Sequence, residues 1–587
     1  MTAFAVWAPY ARRVRLLLDA EARRRPPGPG APGRMMHRQA GGWWRLSVPQ
    51  AVPGTDYAFA LDDDAQPLPD PRSAWQPAGV HGPSRVYDHD RFPWTDQGWA
   101  GRALPGSVLY ELHVGTFTPE GTFDAAAARL GHLAALGVDV VQLLPVNAFN
   151  GVRNWGYDGV AWYAPHEPYG GPDGLKRFVD AAHRHGLAVC LDAVYNHFGP
   201  SGAYPPRFGP YLGDAESPWG RAINLDGPDS DEVRRYIVDS ALGWLRDYHV
   251  DGLRLDAVHA FRDTRAIPLL EELSTAVAAL AGPAGRPLWL IAESDLNDPR
   301  LITARERGGL GLDAQWNDDA HHALHTLLTG ERQGYYADFD DPRALAKVWT
   351  GGFFHADTWS GFRRRRHGRP VDTDEVTGDR FVAYLQNHDQ VGNRAQGDRL
   401  AMLLSPGLLR VAAVLLLTSP FTPMLFMGEE WGAVSPWQYF TSHPEPELGA
   451  AVAAGRRREF TRHGWPPGRV PDPQEEATFH RSQLDWSELD KPAHQELLGL
   501  HRELIALRRS RPELADPQLA ELEVCHGDGH LVIHRGGCRV VANLAGRPQR
   551  VELAATVRAV LLSTGPGVTV MRGAVQLPPE TAAVVTV

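Results

Sequence analysis

The chain has 587 residues, several times the size of one ordinary core, and at roughly 100–200 residues per domain it predicts two to four domains. Apolar residues make up 43% and charged residues 22%, a globular composition that excludes a disordered chain. The formal net charge of −11 offers no positive field to a phosphate backbone, so nucleic-acid binding is not expected.

The N-terminus, MTAFAVWAPYARR, lacks a basic segment ahead of an apolar core and does not read as a signal peptide. Residues 1–96 read as β: FAVWAPYARRVRLLLD, WWRLSVP and DYAFALD are strand-like runs between Pro/Gly-rich breaks. They predict a small β-sandwich, with Arg23–Arg38 as a surface loop. From 97 to 511 the rhythm changes to short apolar runs followed by amphipathic helical stretches. The strand candidates are Val108–Phe117, Val138–Val146, Ala188–Asn196, Gly252–Asp256, Leu288–Ser294, Asp313–Asn317, Phe381–Asp389 and Thr422–Glu429. Helices are expected at Phe123–Leu136, Leu175–His185, Asp231–Tyr248 and Leu408–Thr418. Eight such units predict an α/β fold of the (β/α)8 TIM-barrel type, because strands buried on both faces read as near-continuous apolar runs. A doubly wound sheet is the competing topology, but no Gly-x-Gly-x-x-Gly opens a βα unit. Long insertions follow the third and eighth strands, where barrels of this kind keep their chemistry.

The apolar run Val411–Leu417 falls far short of the ~20 residues that span a bilayer, so no membrane partner is expected and the location is read as cytoplasmic. After the helix Ala493–Arg509, residues 512–587 alternate again and predict a C-terminal antiparallel β-sandwich. The three cysteines, Cys190, Cys525 and Cys538, show neither metal spacing nor an even disulfide set, and no cofactor is expected. Eighteen tryptophans supply flat surfaces that suit sugar faces, although core filling is the commoner use.

Carboxylates gather at the predicted strand ends. Asp256 ends GLRLD, Glu293 ends LWLIAES, Asp389 ends FVAYLQNHD, and AVCLDAVYNH adds Asp192, Asn196 and His197. One acid after a strand is commonly a helix cap, but several converging on one barrel mouth point to chemistry. Arg254 and Asp256 stand two apart on a strand and share a face, so the guanidinium holds the acid ionised, as a nucleophile requires. Glu293 follows Leu290, Ile291 and Ala292, and desolvation there keeps it protonated, as a general acid requires. Two carboxyls in such contrasting settings are the apparatus of a retaining glycosidase. His197 and His388 could donate to sugar hydroxyls, and Tyr157 in NWGYDG could stack on a sugar ring.

The motifs DAVYNH (192–197), DGLRLDAVH (251–259), IAES (291–294) and QNHDQ (386–390) resemble, in order and spacing, the four regions of the α-amylase superfamily, glycoside hydrolase family 13. That resemblance implies Asp256 as nucleophile, Glu293 as acid/base and Asp389 as transition-state stabiliser. It implies Arg254, His197, His388 and Tyr157 around the distorted sugar, with Asp192 in support. YELHVGTFTPEGTF (110–123), LLPVNAFNGVRNWGYDGV (143–160), DAVYNHFGPSGAY (192–204) and QNHDQVGNRAQGDRL (386–400) look most like the trehalose-releasing hydrolases of that superfamily. Those act on malto-oligosyltrehalose and related α-glucans, in partnership with the malto-oligosyltrehalose synthase that makes the terminus. His259, Asn393 and Arg394 are the candidates on the leaving-group side, with loop scaffolding as their plain alternative. Asn196 matches a calcium-binding position of many α-amylases, but without further oxygen ligands a hydrogen-bonding role and no metal are expected. Branching enzymes resemble the chain in domain order but carry Ser-His-Asp-Glu where Asn387-His388-Asp389-Gln390 stands here. Branching or debranching is the alternative activity, and a non-catalytic carbohydrate-binding protein a remote one.

Overall fold

The computed structural model describes residues 2–23, 33–64, 66–462 and 469–587. Its centre is a closed barrel of eight parallel strands. These are β1 (Leu109–Leu112), β2 (Val140–Leu143), β3 (Ala188–Ala193), β4 (Gly252–Leu255), β5 (Trp289–Ala292), β6 (Ala314–Trp316), β7 (Phe381–Tyr384) and β8 (Thr422–Phe426). β8 pairs back to β1 through Met424↔Leu109 and closes the ring.

Strand alternation divides the residues between two cores. Leu109, Val140, Cys190, Trp289, Ile291, Val382 and Met424 pack together in one core inside the barrel. Tyr110, Val141, Leu143, Leu253, Leu255 and Leu290 belong to a separate core that they share with the helices. Along the inward rows the sequence turns from apolar to polar toward the C-terminal ends, at Glu111, Gln142, Asp192 and Arg254. Gly252 is required by this packing, since a Cβ there would meet the Trp289 ring at 1.9 Å.

The strands are shorter than the sequence predicts, and most of the excess is at their C-terminal ends. Val114–Phe117 is a helical turn, and the chain after β7 enters a short helix, His388–Gly392, instead of continuing as strand to Asp389. Asn387 caps that helix by accepting from the Gln390 amide at 2.7 Å. The expected helix Phe123–Leu136 is two pieces, Phe123–Ala127 and Leu130–Leu136, the second ending on Gly137 at φ 100°. The other four helices lie within two residues of expectation at their C-terminal ends, for example Ser230–Asp247 and Pro492–Ser510.

The N-terminal module sets a three-stranded sheet (Thr2–Trp7, Trp43–Val48, His37–Arg38) beside a four-stranded one (Arg34–Met35, Val14–Leu18, Asp56–Leu61, Ser84–Arg85). Residues 24–32 of the expected surface loop lie outside the described residues, while Arg34–Met35 and His37–Arg38 form strands rather than loop. The module rests on the β3 insertion and the helix Ser230–Asp247. Trp7 meets Tyr211 edge-on at 5.4 Å, and Arg72 Nη1 donates to Asp239 at 2.7 Å. The C-terminal module is a five-stranded and a three-stranded antiparallel sheet. Buried Arg508 joins it to the barrel by donating to the carbonyls of Leu417, Ser419, Phe421 and Leu514. Among the described residues no helix is long and apolar enough to cross a membrane.

Candidate active site

At the C-terminal mouth of the barrel lies a cleft of about 520 Å³. Tyr157, His197, Asp256, His259, Glu293, His388, Asp389 and Asn393 all line it. Its organising group is Arg254, fully buried on β4 and lying over the Trp316 ring at 4.2 Å. Arg254 Nη1 donates to both oxygens of Asp192 (2.8 and 2.7 Å) and to Asp256 Oδ1 at 2.8 Å. Its Nη2 lies 3.2 Å from Glu293 Oε2. A single guanidinium therefore touches three carboxyl groups from β3, β4 and β5.

The amide of Asn196 fixes Asp256 further, donating to its carbonyl at 2.9 Å and to Oδ2 at 2.6 Å. The other end of that amide faces His197 Nδ1. Both ends of the amide are engaged. Oδ1 and Oδ2 of Asp256 are thus each held by a donor, which leaves the carboxylate oriented toward the cleft.

Glu293 sits differently. Burial raises its pKa to about 8; Arg254 opposes the rise, while Asp256 and Asp389 add to it. Its one backbone donor is the Ala257 amide, 2.6 Å from Oε2. At neutral pH Glu293 holds a proton beside a carboxylate pinned by Arg254 and Asn196. That is the division of labour between general acid and nucleophile.

The third wall is a proton-ordered chain. Burial alone would lower the pKa of His388, but Asp389 and Glu111 outweigh it and raise the value to about 9. The imidazolium Nδ1–H donates to Glu111 Oε1 at 2.8 Å, and Nε2–H points at the Tyr157 hydroxyl 2.7 Å away. Tyr157 donates in turn to Asp192 Oδ2 at 2.8 Å, and its ring stacks on His388. Asp389 Oδ2 is 3.5 Å from His388 Nε2, and its side chain keeps 39% of its surface open to the cleft.

Asn393 donates to Asp389 Oδ1 at 3.3 Å, and His259 lies beyond Glu293 with Nδ1 3.8 Å from Asp295. Arg394 does not line the cleft. Its guanidinium is engaged bidentately by Glu331 (2.8 and 2.9 Å) and by Asp398, which makes it a scaffold group. Sequence reading passed over Glu111, Trp316, Trp219, Tyr439 and Arg456. Trp219, 46% exposed on a hairpin after β3, stacks on His197 at 5.0 Å. Arg456, on the helix Pro446–Arg462, donates from Nη2 to Gly392 O (2.7 Å) and Asn393 Oδ1 (2.9 Å). The signal available for Glu111 was a lone carboxylate in the apolar run of YEL.

An eight-stranded parallel barrel with this carboxyl set at its mouth defines a glycoside hydrolase of the α-amylase superfamily. Residues 85–206 match the model of the alpha amylase catalytic domain, and residues 1–73 match carbohydrate-binding module 48, the isoamylase N-terminal domain. A malto-oligosyltrehalose trehalohydrolase of Rhizobium sp. (strain M-11) is 55% identical over 99% of this chain and 97% of its own. That of Arthrobacter ramosus is 57% identical over 93% of each. A crystallised alpha-amylase-type protein from Salmonella typhimurium has TM-score 0.88 at 37% identity, over 100% of this chain and 97% of its own. The chain belongs to the malto-oligosyltrehalose trehalohydrolase family.

Proposed function

We propose that this enzyme hydrolyses the α-1,4-glucosidic bond next to the terminal trehalose of malto-oligosyltrehalose, releasing trehalose and a maltooligosaccharide. The observation that carries the chemistry is the contrast between Asp256, held by Arg254 and Asn196, and Glu293, protonated by burial. Asp256 attacks the anomeric carbon while Glu293 protonates the departing oxygen. Glu293 then deprotonates the water that releases the glycosyl-enzyme, with net retention. Asp389 grips hydroxyls of the distorted sugar, and His197, His388 and Tyr157 line the same subsite. Arg254 and Asp192 hold the two reacting carboxyls in register.

The leaving group departs on the Glu293 side. There His259 and Asp295 stand beside Arg363, whose Nη2 donates to Asp295 Oδ2 at 2.9 Å. A polar wall that pairs with the bent, non-reducing disaccharide leaves groups unpaired around a linear glucan, and this favours trehalose. Asn393 acts here through Asp389, and no metal takes part. The chain divides at 1–96, 97–511 and 512–587 into a carbohydrate-binding-module-like sandwich, the catalytic barrel and a C-terminal β module. The malto-oligosyltrehalose synthase that supplies the substrate is the pathway partner, and both act in the cytoplasm.

Branching is the weaker reading: the 1,4-alpha-glucan branching enzyme of Leifsonia xyli is 29% identical over 87% of this chain and 65% of its own. The test is product chromatography after incubation with maltotriosyl-trehalose, maltopentaose and a branched glucan in parallel. Free trehalose appearing far faster than any other product is expected. Faster attack on the branched glucan, or chain transfer without trehalose, overturns the assignment.

A further inference from the structure

The C-terminal module holds a side-chain cluster that the hydrolytic reaction does not use. Its edge strand Glu523–Gly527 pairs antiparallel with His530–Arg535, with Glu523 opposite His534. Cys525 lies two residues along from Glu523 and therefore on the same face. Glu523 Oε1 is 3.4 Å from Cys525 Sγ, and Glu523 Oε2 is 3.0 Å from His534 Nδ1. One ligand atom from each residue lies within 4.8 Å of the others. Tetrahedral zinc, with Zn–S of about 2.3 Å and Zn–N or Zn–O of about 2.0–2.1 Å, has ligand–ligand edges of roughly 3.3–3.5 Å. The two separations lie near those edges, each through a different oxygen of Glu523, so a rotation of the carboxylate brings one oxygen to the metal.

We propose that Glu523, Cys525 and His534 form a surface site for a borderline-soft divalent cation of the zinc class. The thiol and imidazole select such a metal over calcium or magnesium, which take oxygen ligands. His534 ligates as the neutral ring, through Nδ1. Cys525 binds as the thiolate, releasing its proton to water. Water completes the fourth position. Arg539, the cation facing the cluster from the neighbouring strand, is turned back, donating to the carbonyls of Gly536 and Cys538 at 2.8 Å each. The bound metal, thiolate and carboxylate sum to zero charge, so its repulsion is small. The ligands converge through cross-strand pairing, which linear spacing along the chain does not display.

Cobalt(II) chloride titrated into the full-length protein tests this. A thiolate-to-metal charge-transfer band saturating at a single equivalent is expected, and zinc chloride should abolish it by displacement. Cys525→Ser should remove the band, and His534→Ala and Glu523→Gln should each weaken binding by at least about tenfold. Cys525 is the exposed cysteine, the other two being buried, so zinc should also slow its alkylation. Hydrolysis should be unchanged in all three variants. No band, a band that survives Cys525→Ser, or one indifferent to both His534→Ala and Glu523→Gln overturns the site.

Discussion

At the scale of single residues, the reaction depends on burial keeping Glu293 protonated, against the pull of Arg254, beside an Asp256 that Arg254 and Asn196 hold in place. Glu293 releases its proton as pH passes about 8, so kcat/KM should fall on an alkaline limb near that value. A limb more than a unit away would remove Glu293 from the acid role. Glu293→Gln should lower kcat by about 10²–10⁴-fold, and Asp256→Asn by more than about 10³-fold, with the fold intact by circular dichroism. The same proton bears on stability. The native state keeps it up to about pH 8, while the unfolded chain releases it near the ordinary value of 4.5. Its stabilising contribution is complete below 4.5 and lost as pH rises through 8. Glu293→Gln should therefore gain denaturation midpoint over the wild type progressively across that window, and a constant difference at every pH would refute the linkage. Arg254 and Asp256 were legible because strand period two puts them on one face. Arg394 was misjudged because it adjoins Asn393 at the end of a helix, where consecutive side chains diverge by about 100°. Only Asn393 faces Asp389.

At the scale of elements, the barrel was readable from its apolar runs, but the strand ends were not. Residues just past each ladder, such as Asp256 and Glu293, still look strand-like in sequence because they sit in the same short apolar context. Their amides still donate to the neighbouring strand, Asp256 to Ala193 O and Glu293 to Leu255 O, while their side chains face the cleft. The helix Pro446–Arg462 was absent from the expectation altogether. Its sequence, PELGAAVAAGRRREFTR, has no sustained apolar face, and it reaches the cleft through Val452, Arg456 and Glu459. Arg456 bridges Gly392 O and Asn393 Oδ1, and Asn393 reaches Asp389. Arg456→Gln should lower kcat roughly tenfold by loosening Asp389, by the same factor for short and long glucan chains. A rise in KM alone that grows with chain length would instead make Arg456 a direct sugar contact.

At the scale of the whole molecule, the connection from the N-terminal module to the barrel is clamped across the barrel's N-terminal face. Asp96 accepts from His183 and from His249 at 2.8 Å each, and the second nitrogen of His183 faces Asp251 at 3.0 Å. Trp99 lies flat on His183 at 4.6 Å and donates to Asp251, which also receives Arg286. Burial opposes ionisation of both partners, but the hydrogen bonds win: His183 and His249 hold Asp96 well below its ordinary value, and Asp251 and Asp96 hold His183 above its own. The Asp96 contribution is present above the unfolded value of 3.8 and is lost as pH falls through the depressed one. That of His183 is present below 6.5 and is lost as pH rises through the raised one. Both operate together from about 3.8 to 6.5. Asp96→Asn should thus cost about 1.5–3 kcal/mol in urea unfolding near pH 6, the worth of a charged hydrogen bond, since Asp251 remains to face His183. The cost should shrink as pH rises past the titration of His183, while kcat per folded molecule at pH 7 stays at the wild-type value. A cost equal at pH 6 and at pH 9 would show that Asp96 acts by packing and hydrogen bonding alone, with no charge on His183.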